Sequence, residues 1–196
     1  LNRPAILRVP SGLYAMTSIL NVNFSSVALI YGEGPTPPEI NGGGTTRLLN
    51  TGLWAGAMST TIVDRLVFKK AYGDGSFTGA AITVYSSLIV LNSQFIGNLG
   101  GFHGTIYGTV SSRDILVRDS IFRGNKGNAI GAFGSKSLAI ERSEFDGNEG
   151  FGLNISNGTW NISVRDSTFT GNGGGIRYRK CYTSCVIENT TVTGNL

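Results

Sequence analysis

The chain has 196 residues, with 16 Lys and Arg against 12 Asp and Glu, a formal net charge of +4, 14% charged and 40% hydrophobic residues. That length supports one domain with a sizeable core, and the low charge without long polar tracts excludes a disordered chain. The scattered basic residues lack the basic stripe interleaved with aromatics that nucleic-acid binding needs, no apolar run reaches the ~18–20 residues of a membrane-spanning helix, and the 29 glycines follow no Gly-X-Y period.

In chain order, Ile6-Leu7-Arg8-Val9 reads as an apolar strand entering the turn Pro10-Ser11-Gly12-Leu13-Tyr14. Ala28-Leu29-Ile30-Tyr31 reads as the next strand, closed by Gly32-Glu33-Gly34. Gly42-Gly43-Gly44 is a turn, as is Gly173-Gly174-Gly175; neither carries the Gly-Lys-Ser/Thr context of a phosphate loop. Residues 1–60 are taken as N-terminal entry coils and residues 61–196 as regular coils of one domain.

The regular part is an internal repeat. Phe95-Ile96-Gly97-Asn98 recurs as Phe122-Arg123-Gly124-Asn125, Phe145-Asp146-Gly147-Asn148 and Phe169-Thr170-Gly171-Asn172, and closes as Val192-Thr193-Gly194-Asn195. Phe68 is an earlier, degenerate anchor. Seven residues before the five anchors stand Leu88, Ile115, Leu138, Ile162 and Cys185, and five before stand Val90, Val117, Ile140, Val164 and Ile187. This period-two alternation marks a strand with one buried face. After the Gly-Asn pairs a further strand carries Ile82, Ile130, Leu153 and Ile176 in stacking positions.

A unit of about 23–27 residues cannot bury its own apolar face; stacking identical coils about 4.8 Å apart does so. The expected fold is therefore all-β, a right-handed parallel β-helix solenoid. No segment has a helical period, and the leucine-rich consensus is missing. Asn98, Asn125, Asn148, Asn172 and Asn195 are expected to form a ladder at one corner, beside a stack of the phenylalanines. Four residues before the anchors, Arg118, Glu141, Arg165 and Glu188 alternate in sign; three before, Asp119, Arg142 and Asp166 do the same. Both columns are read as register selection on the outer face.

The Phe-X-Gly-Asn coils with their Ser-X-Phe approach resemble the right-handed β-helix repeat of pectin-lyase-like proteins over roughly residues 60–196. The opening strand before Pro-X-Gly-X-Tyr is similar to that family's entry. The resemblance implies the fold; lyases, hydrolases, adhesins and structural proteins all share it.

Candidate functional residues are few. Cys181 and Cys185 are too few for a zinc site or a disulfide scaffold, and a local disulfide between them is expected in an oxidising compartment. Asn-X-Ser/Thr glycan acceptors stand at Asn23, Asn154, Asn157, Asn161 and Asn189, which points to a secretory route and an extracellular or cell-surface location. Tyr85, Tyr107 and Phe133 are candidate sugar contacts on an outer strand face. His103, the single histidine, is read as a turn residue, and Arg177-Tyr178-Arg179-Lys180 as an exposed basic strand. The clustered acids of glycan lyases and hydrolases are not apparent, and no metal or cofactor is expected.

The balance favours a secreted, non-catalytic structural or adhesive glycoprotein of a cell surface, appendage or extracellular matrix. A polysaccharide lyase or glycoside hydrolase acting on acidic glycans, or a carbohydrate-binding module, is the alternative. Because the chain stops at Leu196 just after a Gly-Asn pair, a longer parent chain is expected. The expected partners are other copies or other extracellular proteins, covering the C-terminal end, and polysaccharide.

Overall fold

The structure, a computed structural model, describes residues 5–22, 27–52, 59–75, 78–156 and 158–196. All its regular elements are strands, and none of the described residues forms a helix long and apolar enough to cross a membrane. Among the described residues the strands stack into three long parallel sheets, with a fourth sheet of two short strands, Leu99–Gly101 and Lys126–Gly127, and the chain passes from the first to the second to the third long sheet in successive coils. The first sheet has eight strands, from Ala5–Pro10 and Val27–Glu33 through Thr60–Asp64 and Ser87–Leu91 to Cys181–Glu188. The second has eight short strands, including Gln94–Ile96, Ile121–Arg123 and Glu144–Asp146, and the third has seven, ending in Phe151–Ser156 and Gly174–Tyr178.

Register explains the repeat. Leu88 pairs with Ile115, Ile115 with Leu138, and Leu138 with Ile162, so each inward residue of the first sheet meets its own counterpart one coil away. Phe68, Phe95, Phe122, Phe145 and Phe169 form one column of the second sheet. Their rings stack with centroids 4.9, 4.6, 4.8 and 4.4 Å apart and planes within 8° of parallel. That spacing is set by the distance between hydrogen-bonded strands. The third sheet contributes Ile82, Ile106, Ile130, Leu153 and Ile176. Ile106 was not legible in the sequence, because the extra residues around Gly101–Gly104 displace it from the repeat.

Coil length is less uniform than expected. Ala28 pairs with Thr61, a step of 33 residues, before the regular steps begin. The first strands nevertheless join the same sheets as the later ones.

The two tight corners have different chemistry. Between the first and second sheets a single non-glycine residue adopts positive φ in six consecutive coils: Arg65, Asn92, Asp119, Arg142, Asp166 and Asn189, at 44–55°. The charged column three residues before the anchor is thus a turn column on the outer face. The serine that follows donates its hydroxyl proton back across the turn, Ser120 to the Arg118 carbonyl and Ser143 to the Glu141 carbonyl, both 2.8 Å. Its oxygen accepts the amide of the serine one coil earlier, Ser93 to Ser120 and Ser120 to Ser143, both 3.2 Å.

At the corner between the second and third sheets the anchor glycines take φ near 60°, where a side chain is disfavoured. The asparagines that follow, Asn98, Asn125, Asn148 and Asn172, are buried, and Asn195 in the last coil is partly so. Asn148 Oδ1 accepts the Asn125 amide at 3.1 Å and Asn125 Nδ2 at 2.8 Å. Asn148 Nδ2 donates to the Phe122 carbonyl at 3.1 Å and to Asn172 Oδ1 at 2.7 Å. All four hydrogen-bonding positions of the amide are used. The same pattern links Asn98 to Asn125 and Asn172 to Asn195. In the degenerate coil, Lys70 takes the glycine's place at φ 49° and the Ala71 amide donates to Asn98 Oδ1.

Candidate functional site

The outer corner between the first and second sheets holds a group of ion-paired charges. A groove of about 390 Å³ is lined by Asp119, Arg142, Glu144 and Asp166 with Ser120, Ser143 and Thr168. Each carboxylate there has a partner one coil away. Arg142 grips Asp119 with both nitrogens, Nε to Oδ1 at 2.8 Å and Nη2 to Oδ2 at 2.9 Å. Arg123 pairs with Glu144, and with Asp146 at 3.1 Å. Asn189 donates to Asp166 Oδ1 at 3.1 Å. Beside the groove, Arg118 pairs with Glu141 at 2.8 Å and Arg165 with Glu188. The alternating columns therefore resolve into pairs of neighbouring coils. The Arg123 pairs went unread because they flank the anchor phenylalanines, outside the two columns noticed.

The hydrogen bond from Arg142 holds the Asp119 carboxyl below its ordinary range, against a smaller opposing effect of burial. A general acid for glycoside cleavage needs a raised value instead, near the operating pH. The chemistry of this corner is that of an ion-paired strap.

On the outer face of the third sheet, Tyr107 corrects the sequence reading. It is only 3% exposed and offers no face to a sugar. The turn through Phe102, His103 and Gly104 folds over it, with the His103 ring 4.9 Å from the Tyr107 ring. The His103 carbonyl occupies the place that a side chain on Gly131 would fill. Burial, with a smaller contribution from Tyr85, pushes the Tyr107 hydroxyl up to about 12, and burial lowers His103. Tyr85 and Phe133 are half-buried.

The glycan acceptors separate by exposure. Asn23 and Asn157 lie outside the described residues. Asn154 is 5% exposed and lines a small cleft with His103 and Tyr107. Its side chain is therefore covered in the folded chain. Asn161 and Asn189 are exposed.

Cys181 and Cys185 are disulfide-bonded, within the strand Cys181–Glu188. That strand carries one extra residue against its neighbour: Thr159 pairs with Cys181, but Asn161 pairs with Ser184. The bulge turns Tyr182 outward beside Trp160, ring centroids 5.5 Å apart; both rings are more than half exposed. Lys180 Nζ stands 4.7 Å from the centre of the Tyr182 ring, and the Arg177 guanidinium lies over Phe151 at 5.4 Å. Tyr178, Arg179 and Lys180 are exposed and Arg177 is partly so.

Residues 53–196 match the family model described as a right handed beta helix region. No curated protein matches the sequence. With the three parallel sheets stacked coil on coil, the match over most of its length places this chain in the right-handed β-helix family.

Proposed function

We propose that this chain is a non-catalytic structural or adhesive domain of a secreted glycoprotein, working at a cell surface, appendage or extracellular matrix. The observation that carries this reading is the pairing of the outward carboxylates. Asp119, Glu141, Glu144 and Glu188 each hold an arginine from the adjacent coil. Such contacts select register and stiffen the stack, and the Arg142 hydrogen bond holds the Asp119 carboxyl below its ordinary range, the wrong direction for a general acid. The disulfide is compatible with an oxidising compartment, and exposed Asn161 and Asn189 supply two acceptors for glycans. Other copies, other extracellular proteins and polysaccharides are the partners that this role implies.

The competing reading is a lyase or hydrolase of acidic glycans, and the groove bearing Asp119, Glu144 and Asp166 is what favours it. The test uses protein secreted from a eukaryotic host, with glycopeptide mass spectrometry and incubation with polyuronates. Glycans on Asn161 or Asn189, without unsaturated uronate products or new reducing ends, support the structural role. Turnover that disappears in Asp119→Asn overturns it.

A further inference from the structure

An exposed aromatic pair stands on the corner before the first sheet. Trp160 is 56% exposed and Tyr182 is 51% exposed, although apolar rings are costly to leave in water. Three features hold them there. The bulge in Cys181–Glu188 re-aims Tyr182, and the disulfide closes directly over the bulged residues. Gly158, at φ 70°, leaves room for the Tyr182 ring, which lies where any side chain at that position would stand. Trp160 is itself anchored by its amide to the Ser135 carbonyl. Trp160 is exposed on an interior strand of the first sheet, and Tyr182 stands beside it on the last strand.

Next to this platform stands Asn161, exposed, in the acceptor Asn161-Ile162-Ser163. A sugar joined to Asn161 Nδ2 begins one residue from the Trp160 ring. The covalent tether gives it a very high effective concentration there, and the C–H face of a pyranose complements the flat apolar rings. The Lys180 ammonium, over the Tyr182 ring at 4.7 Å from its centre, covers one ring face and adds a donor for sugar hydroxyls.

We propose that Asn161 carries an N-linked glycan whose first sugars pack on Trp160 and Tyr182, so that the stapled corner is the seat of the chain's own glycan. This rests on the secreted-glycoprotein reading above. Hydroxyl-radical footprinting read by mass spectrometry tests it on the intact secreted protein, before and after enzymatic removal of glycans from the folded chain. Oxidation of Trp160 should be about twofold slower with the glycan present, because roughly half of an exposed ring face is covered; Phe102, exposed and remote in the chain, should not change. Asn161→Gln should reproduce the faster rate. Equal Trp160 rates with Asn161 occupied overturn the packing and leave the glycoprotein reading standing. Glycans on Asn189 with Asn161 empty also overturn the inference alone. Bare asparagine at every acceptor overturns both.

Discussion

Asn148→Ala is the sharpest probe of the fold. The wild-type side chain makes four hydrogen bonds at 2.7–3.1 Å in a residue only 1% exposed. Two of its partners keep an alternative: Asn172 Oδ1 still accepts the Asn148 amide, and Asn125 Nδ2 still reaches the Phe95 carbonyl. The Asn125 amide loses its acceptor in a residue with no solvent exposure. An orphaned buried donor costs ~1–3 kcal/mol and each net hydrogen bond ~0.5–1.5 kcal/mol, so a loss of about 3 kcal/mol is expected after partial relaxation. Chemical denaturation gives the total, and hydrogen exchange should show the Asn125 amide deprotected first. Asn148→Asp separates hydrogen-bond direction from shape. It puts an oxygen against the Phe122 carbonyl and Asn172 Oδ1, both acceptors, so the loss at neutral pH should exceed that of Asn148→Ala. Burial raises such a carboxyl, which then contributes most when protonated, and stability should recover as pH falls. A loss below ~1 kcal/mol for Asn148→Ala, or an Asn148→Asp variant insensitive to pH, would refute this account of the ladder.

Phe145→Ala should cost about 3–5 kcal/mol, since its ring is fully buried between Phe122 and Phe169. The same truncation at Val110, 66% exposed, should cost under ~1 kcal/mol; equal losses in denaturant titrations would contradict the stacking. For Asp119, the arginine-lowered carboxyl means a stability contribution present above the unfolded value of about 3.9 and lost as pH falls through the lower folded value. Asp119→Asn should therefore lower stability at neutral pH by under ~1 kcal/mol, because the pair is largely exposed. Its difference from wild type should vanish in acid; a difference that persists or grows below that range would assign the effect to something other than the ion pair.

The sequence by itself determined the solenoid. Its evidence was chemical repetition: Phe122, Phe145 and Phe169 recur with the same small, polar and apolar neighbours, and only stacking gives each a buried counterpart. The asparagines were legible for the same reason, since a Gly-Asn pair fixes a turn wherever it occurs. What the repeat could not convey was how irregular segments cross between coils. Tyr107 had the sequence signature of an outward ring, yet the Phe102–His103 turn covers it, because extra residues in one coil fold over the next. The positive φ at Asp119 and Arg142 was not legible, since such turns accept several residue types. Trp160 and Tyr182 lie on neighbouring strands one coil apart, and the bulge, which the repeat does not show, sets their contact. Asn154 and Asn161 carry the same acceptor pattern, and the packing of the third sheet alone distinguishes the buried one from the exposed one. Periodic columns follow from local chemistry repeated at a near-constant step; exposure, partner choice and the shape of a surface depend on contacts between different coils, which exist only once the strands have paired.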